Sequence, residues 1–181
     1  DSLPARPYRE IADTVQAEWG LSPEQLFASF DREPLGSASI AQVHRAVLHG
    51  SAKVSVVVKV QKEGIGPIII QDLANLKAIC DFVAWMDPDM NMKPLLREWC
   101  DEVPKELDFR QEARNLVEVK ANLEATSNSG AMDGCSFDFR MPAPVAPVLP
   151  SGAGETLEAA TERTLCMDFQ DGCSIKDLKA L

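Results

Sequence analysis

Histidine is nearly missing from this 181-residue chain: His44 and His49 are the whole supply. That scarcity argues against a zinc site. The five cysteines, Cys80, Cys100, Cys135, Cys166 and Cys173, are odd in number and form no Cys-x-x-Cys pair. They read as free thiols in a reducing compartment. Basic charge is short as well: 18 Lys and Arg face 28 Asp and Glu, for a formal net charge of −10. The cations are scattered rather than gathered in a stripe, which argues against a nucleic-acid partner. No run reaches the roughly 18 apolar residues of a membrane-spanning helix. The opening residues, DSLPARPYRE, do not read as a signal peptide, and there is no internal repeat. What is present, 45% hydrophobic and 25% charged residues, is the composition of a globular chain of one domain, or one domain with an appendage.

The patterning starts with a helix. Pro7 suits a first turn, Tyr8, Ile11, Val15 and Trp19 follow at helical spacing, and Gly20 ends it. Ser22-Pro23-Glu24-Gln25 reads as a capping box opening a second helix through Phe30. A run of small residues, Pro34 to Ile40, leads into an alternating strand at Gln42 to Leu48, and His49-Gly50-Ser51 turns the chain back. Val54 to Val60 is then a strand, because β-branched side chains favour extended backbone, and its near-continuous apolar character predicts that both faces are covered. Gly64-Ile65-Gly66-Pro67 breaks the chain before a helix with Ile69, Leu73, Leu76, Cys80 and Val83 on one face. That helix ends at Asp87-Pro88. A second carries Leu95, Leu96, Trp99 and Val103 up to Pro104, which breaks it. A third runs from Lys105 to about Leu123 with Phe109, Ala113, Leu116 and Leu123 on one side. Thr126 to Ser136 reads as a loop and Phe137 to Arg140 as extended chain. Val145 to Leu149 reads as a short edge strand, 151–162 as a mobile insert and Arg163 to Phe169 as the last strand.

Chemistry concentrates around Lys59, set in the middle of the valine strand. A lysine there must snorkel out, meet an anion or lose its proton, since an unpaired buried charge costs several kcal/mol. Glu112 lies between Phe109 and Leu116 on the apolar side of its helix, an unusual place for a glutamate. The two side chains satisfy each other if they meet. Independent snorkelling and a purely structural ion pair are the plain alternatives, and these residues alone do not choose among them. The small-residue loop adds a further element, because such a loop lets backbone N–H groups approach a phosphate. A loop over phosphates, a strand lysine on their oxygens and a helix glutamate holding that lysine is the logic of a kinase nucleotide site. The loop is not the glycine-rich G-x-G-x-x-G form.

Three segments in order carry a family likeness: Pro34 to Ala46, Val57-Val58-Lys59-Val60-Gln61, and Glu106 to Asn115. With Leu165 to Gly172 as a strand entering a hinge, they resemble the UbiB family, the aarF-domain atypical, protein-kinase-like proteins. The likeness runs from about Pro7 to the end, and the stretch Gln71 to Leu123 is most similar to a plant-type branch, some members of which carry a β-lactamase-like domain further along. In that family an alanine-rich loop, typically Ala-Ala-Ala-Ser, replaces the glycine-rich one. The resemblance places it at Gly36, Ser37, Ala38 and Ser39, where Gly36 and Ser37 depart from the pattern. It implies Lys59 as the nucleotide lysine and Glu112 as its partner. Glu106 and Asp108 match the Glu-x-Asp motif that packs against an N-terminal Lys-x-Gly-Gln segment. Met167 is implied at the back of an adenine pocket, with Asp168 and Phe169 in the hinge.

Other kinase parts are missing from the chain. No histidine is followed by the Asp and Asn of a catalytic loop, and Asp-Phe at Asp108, Asp138 and Asp168 is never followed by glycine. Lys-x-Gly-Gln is missing too. The expectation is therefore an α+β, protein-kinase-like N-lobe: a small antiparallel sheet with an enlarged helical layer, without its C-lobe. A helical extension spans 1–33 and the lobe 34–181. The chain is expected to bind ATP, with magnesium ligands outside it, and to be inactive alone. By resemblance the parent is an atypical kinase or ATPase in isoprenoid-quinone metabolism of a mitochondrion or plastid. Its partners would be a C-lobe and, beyond that, quinone-pathway proteins or a membrane surface. Two rivals stand beside this: a dinucleotide site at Gly64-x-Gly66, and a non-catalytic scaffold docking through its Trp-bearing helices, although core packing is the expected role of Trp85 and Trp99.

Overall fold

The computed structural model describes residues 3–50, 53–90, 92–128, 140–149 and 157–172. Helix α1 covers Tyr8–Trp19, with Pro7 at its N-cap and Gly20 closing it in the left-handed conformation that a side chain resists. The capping box forms, Ser22 N–H donating to Gln25 Oε1 at 3.0 Å, but the helix it opens, α2 (Pro23–Leu26), is one turn long. The expected continuation to Phe30 is instead strand β1 (Phe27–Phe30). It pairs with the end of β3, Phe27 opposite Leu48 and Phe30 opposite Ala46, and Phe27 is buried against Trp19. Burial of that aromatic overrides the local helical pattern. A strand of the main sheet thus lies inside the segment expected to be a helical extension.

Strands β2 (Gly36–Ser37), β3 (Ala41–Leu48) and β4 (Ser55–Gln61) follow, and β5 (Thr164–Asp168) arrives from the far end of the chain. The sheet runs β1-β3-β4-β5 and is antiparallel at every pairing, with β2 also on β3. Its two faces differ. Val56, Val58 and Val60 are wholly buried and pack with Ala46, Leu48 and Cys166 against Ile11, Val15 and Trp19 of α1. Each such valine contributes roughly 1.5–3 kcal/mol by leaving water. Ser55, Val57 and Lys59 face the other way and are only half-buried, so the prediction that both faces of this strand are covered is corrected. Alternation along β4 puts the lysine on the open side.

Helix α3 spans Ile65–Met86, with Gly64 before it in the left-handed region. A short 3-10 turn (Pro88–Met90) leads to α4 (Lys93–Glu102), and Pro104 falls in a second 3-10 segment, Val103–Leu107. The third helix, α5, is Phe109–Asn128 rather than Lys105 to Leu123, so Thr126 to Asn128 are helix, not loop. Ile69, Leu73, Leu76, Cys80 and Val83 take the inner side of α3 but are only half-buried. Its outer side and the tip of the α3–α4 hairpin expose Ile79, Phe82, Met86 and Met90. Trp85 and Trp99 are 78% and 48% exposed, which overturns core packing as their role. A lone helix pair offers one inner face, and the tryptophans sit on the other.

Among the expected elements at the C-terminal end, most of 126–136 and residues 137–139 lie outside the described residues. So do 151–156. The edge pairing occurs one step earlier than Val145 to Leu149: Asp168 N–H donates to Ala143 O at 3.0 Å and Val145 N–H to Cys166 O at 3.0 Å. Residues 157–162, expected in a mobile insert, are packed. Ala160 is buried, Cys166 N–H donates to Ala159 O at 2.8 Å, and Trp19 Nε1 donates to Glu158 O at 3.0 Å. Burial pushes the Cys166 thiol up to about 12, so it is a packing residue rather than a nucleophile.

His44 is fully buried on the α1 side, stacked on Phe30. Its Nδ1 donates to Asp31 O at 2.8 Å, which leaves Nε2 to accept from the Gln42 amide at 3.0 Å. Burial holds its pKa below the usual imidazole value, against the opposing pull of the Asp31 carbonyl and nearby carboxylates. The unfolded chain then binds this proton more readily than the folded one, so stability rises with pH across the window between the two values. The contribution is fully present above about pH 6.5, the unfolded value, and is lost as pH falls toward the folded one. The urea midpoint should drop between pH 7 and pH 5, and His44→Gln should flatten that part of the profile.

Candidate nucleotide site

Lys59 and Glu112 meet. Lys59 Nζ lies 2.6 Å and 2.8 Å from the two carboxylate oxygens of Glu112. The same ammonium rests over the ring of Phe109, 4.7 Å from its centroid. Three elements produce this arrangement. The register of β4 with β5 sets Lys59 opposite Leu165, on the face toward α5. Phe109, fully buried with Ala41, Ala160 and Leu165, nails the start of α5 to that face. One turn later the helix presents Glu112 to the lysine.

Asp108 sets the angle of the helix. Its Oδ1 accepts from Arg110 N–H at 3.0 Å and its carboxylate takes the Arg110 guanidinium at 2.8 Å and 2.9 Å, a side-chain cap for α5. The Arg110 hydrogen bonds hold the Asp108 carboxyl below the usual carboxylate range. Gln61 at the end of β4 donates to Leu107 O at 2.9 Å, binding the 3-10 segment to the sheet just before that cap.

Ala38, Ser39, Lys59, Glu106, Asp108 and Glu112 line one cleft of about 780 Å³. Of the residues singled out from sequence, these are brought together. Gly36 and Ser37 are not at the cleft; they form β2, opposite Val43 and Gln42. Gly36 has no left-handed backbone, and a side chain there would meet nothing within 4 Å, so the position does not demand glycine. Ser37 Oγ donates to Pro4 O at 3.3 Å, on the N-terminal segment. Met167 packs on the Phe109 cluster. The Asp168 carboxylate accepts from Ala143 N–H, and Phe169 lies under the Arg45 guanidinium at 4.3 Å. The Gly64-Ile65-Gly66 turn opens α3 and does not line the cleft.

The turn at the cleft is tight. Ala38 N–H donates to Ala41 O at 2.8 Å, leaving Ser39 and Ile40 at the tip of the β2–β3 hairpin. Among the described residues no bond takes up the N–H groups of Ser39 and Ile40. Such a tip can offer donors to an anion. Sequence reading missed three contributors here: Phe109 as the platform for Lys59, Asp108 as a helix cap, and Lys62, which fastens the turn. The first had a signal, since Phe109 and Glu112 are three residues apart and share a face. The last had none, since its acceptors are main-chain carbonyls remote in sequence.

Known proteins are similar to this chain over 71% to 98% of its length. The model of the ABC1 atypical kinase-like domain matches residues 1–181. A putative ABC1 protein of Arabidopsis thaliana is 31% identical over 178 residues, 98% of this chain and 30% of the relative. AarF domain-containing protein kinase 1 of Xenopus tropicalis is 29% identical over 175 residues, covering 96% of this chain and 29% of its own. A probable protein kinase UbiB of Tolumonas auensis is 31% identical over 130 residues, 71% of this chain and 24% of its own. The chain therefore spans under a third of the length of these relatives. Among solved structures, Rv3197 of Mycobacterium tuberculosis in complex with erythromycin superposes with a TM-score of 0.67 at 22% identity, over 96% of this chain and 38% of that one, which establishes the fold. A small antiparallel sheet, a strand lysine paired to a helix glutamate, and a family model that matches end to end place this chain in the ABC1 atypical kinase-like family, to which the aarF-domain and UbiB proteins belong.

Proposed function

We propose that this chain is the ATP-binding N-lobe of an atypical kinase or ATPase. The observation that carries the reading is the Lys59–Glu112 pair at the wall of an open cleft, beside a hairpin tip with free N–H donors. A purely structural ion pair needs no such cleft and no such turn. In this reading Lys59 contacts the α- and β-phosphate oxygens, Glu112 orients it, and Ala38 and Ser39 cover the phosphates. Met167, Asp168 and Phe169 bound the adenine side and the hinge, and Glu106 and Asp108 form the rim that faces any segment closing over the cleft. In this reading the magnesium that travels with ATP takes its ligands outside this chain, with the residues that place the γ-phosphate. The catalytic loop and Asp-Phe-Gly are also assigned outside this chain, in a C-lobe partner, and the chain alone binds without turnover. The role proposed for the parent protein is isoprenoid-quinone metabolism in a mitochondrion or plastid; the chloroplastic label of an Arabidopsis relative, 33% identical over 133 residues, supports the plastid.

Thermal shift with Mg-ATP tests the reading. At a hundredfold excess over Kd, a ligand confined to the folded state adds about 2.7 kcal/mol. That is roughly 5–10 °C for a chain of this size. Lys59→Ala should lose most of this gain, and equal stabilisation of both proteins would sink the role given to Lys59.

One observation favours a second reading, a scaffold that docks on a partner or membrane surface: the exposed Phe82, Trp85 and Met86 toward the α3–α4 tip, with Trp99 exposed farther along α4. Aromatic and Met side chains are the usual anchors of such contacts. Phe82→Asp with Trp85→Asp should abolish flotation with phospholipid vesicles while leaving Mg-ATP stabilisation intact. A wild-type protein that does not float removes the membrane form of this reading.

A further inference from the structure

Lys62, the residue after β4, is 7% exposed, yet its ammonium bonds only neutral groups. Nζ donates to Ala38 O at 2.7 Å and to Pro4 O at 3.2 Å, while its own backbone N–H donates to Ile40 O at 2.8 Å. Among the described residues no carboxylate pairs with it. Two features stand out. The carbonyls it grips, those of Ala38 and Ile40, flank Ser39, so one lysine holds both sides of the hairpin tip. And a buried cation without a counter-anion is costly, a debt that an anion brought to the tip would relieve.

We infer that Lys62 is the positioning residue of the phosphate-binding turn and the second cation of the nucleotide site, acting from behind the turn while Lys59 acts from the cleft. By drawing the Ala38 carbonyl backward it turns the Ser39 N–H, on the opposite side of the same planar peptide, toward the cleft, beside the open Ile40 N–H at the tip. Its charge reinforces those dipoles at the place where a phosphate would sit. Through Pro4 it also ties the N-terminal segment to the turn, where Leu3 N–H donates to Ser37 O at 3.0 Å. The ligand class is a nucleotide polyphosphate. The inference rests on the nucleotide reading above and adds a residue that the reading does not require.

The test compares ADP with adenosine, by calorimetry on the full protein. Lys62→Gln keeps a donor for a carbonyl but removes the charge; Lys62→Arg keeps both. Lys62→Gln should weaken ADP by about tenfold and leave adenosine within about twofold, whereas Lys62→Arg should restore ADP affinity to within about threefold of wild type. Equal loss for ADP and adenosine would mean a general collapse of the site and would overturn the inference, as would unchanged ADP affinity. Ser39→Pro supplies an arm that keeps Lys62 and removes one N–H donor without breaking any drawn bond. It too should weaken ADP more than adenosine, and an unchanged ADP affinity there overturns the turn's role. Failure of the wild-type protein to bind ADP removes the nucleotide reading itself, an outcome distinct from wild-type binding that ignores Lys62.

Discussion

Phe109→Ala is expected to cost about 3–5 kcal/mol of stability. The ring is 2% exposed and fills the space among Ala41, Ala160 and Leu165, where the neighbours are small or held in strands and cannot collapse into the void. The same ring carries the Lys59 ammonium on its face, a contact of about 1 kcal/mol. Two consequences should appear together. The thermal midpoint should fall by roughly 10 °C or more. Mg-ATP stabilisation should shrink even under conditions where the variant remains folded, because the start of α5 is no longer pinned and Glu112 loses its register. Phe109→Leu, which refills most of the volume without a π face, should recover most of the stability. A variant that loses stability but keeps wild-type nucleotide affinity would show that the platform holds the fold and not the site.

The second large effect concerns the pair itself. Glu112→Lys sets two ammonium groups against each other where a carboxylate now lies 2.6 Å from Lys59 Nζ. The side chains are 26% and 37% exposed, so water screens part of the repulsion and the expected loss is about 1–3 kcal/mol rather than the larger cost of a sealed site. The reciprocal double variant, Lys59→Glu with Glu112→Lys, should recover much of that loss because opposite charges again face each other. It should not recover Mg-ATP binding, because the cation then projects from the helix rather than from the strand beside the hairpin tip. Urea denaturation reads the first quantity and the ATP-induced thermal shift the second. Recovery of both would mean that charge anywhere in the cleft suffices, and failure of the swap to recover stability would mean that the two groups are not coupled.

Both charged members of this site are legible in the amino-acid sequence. Lys59 stands out in sequence because a cation in a valine strand contradicts its surroundings, and Glu112 because a carboxylate on an apolar helix face does the same. Two local contradictions of opposite charge predict each other, since each resolves the other's desolvation. The alternation Val56, Val58, Val60 against Lys59 likewise follows from the two-residue period of a strand. Where local signals misled, a non-local partner had decided the outcome. Phe27–Phe30 follows a helical start signal at Ser22–Gln25, yet pairing with β3 and burial against Trp19 make it a strand. The α3–α4 aromatics look like core residues, yet nothing described covers them.

The sequence by itself thus determined the kinase-like order of elements, the identity of the two charged residues and the small-residue turn between strands, because each rests on neighbours a few positions apart. Only the tertiary structure decided that Lys59 reaches Glu112 across 53 positions, that Asp108 caps the helix presenting it, and that Lys62 grips the turn from behind. Those contacts depend on strand register and on main-chain carbonyls. Neither leaves a residue-type pattern, since every residue carries the same carbonyl and register is settled by the packing of the whole sheet.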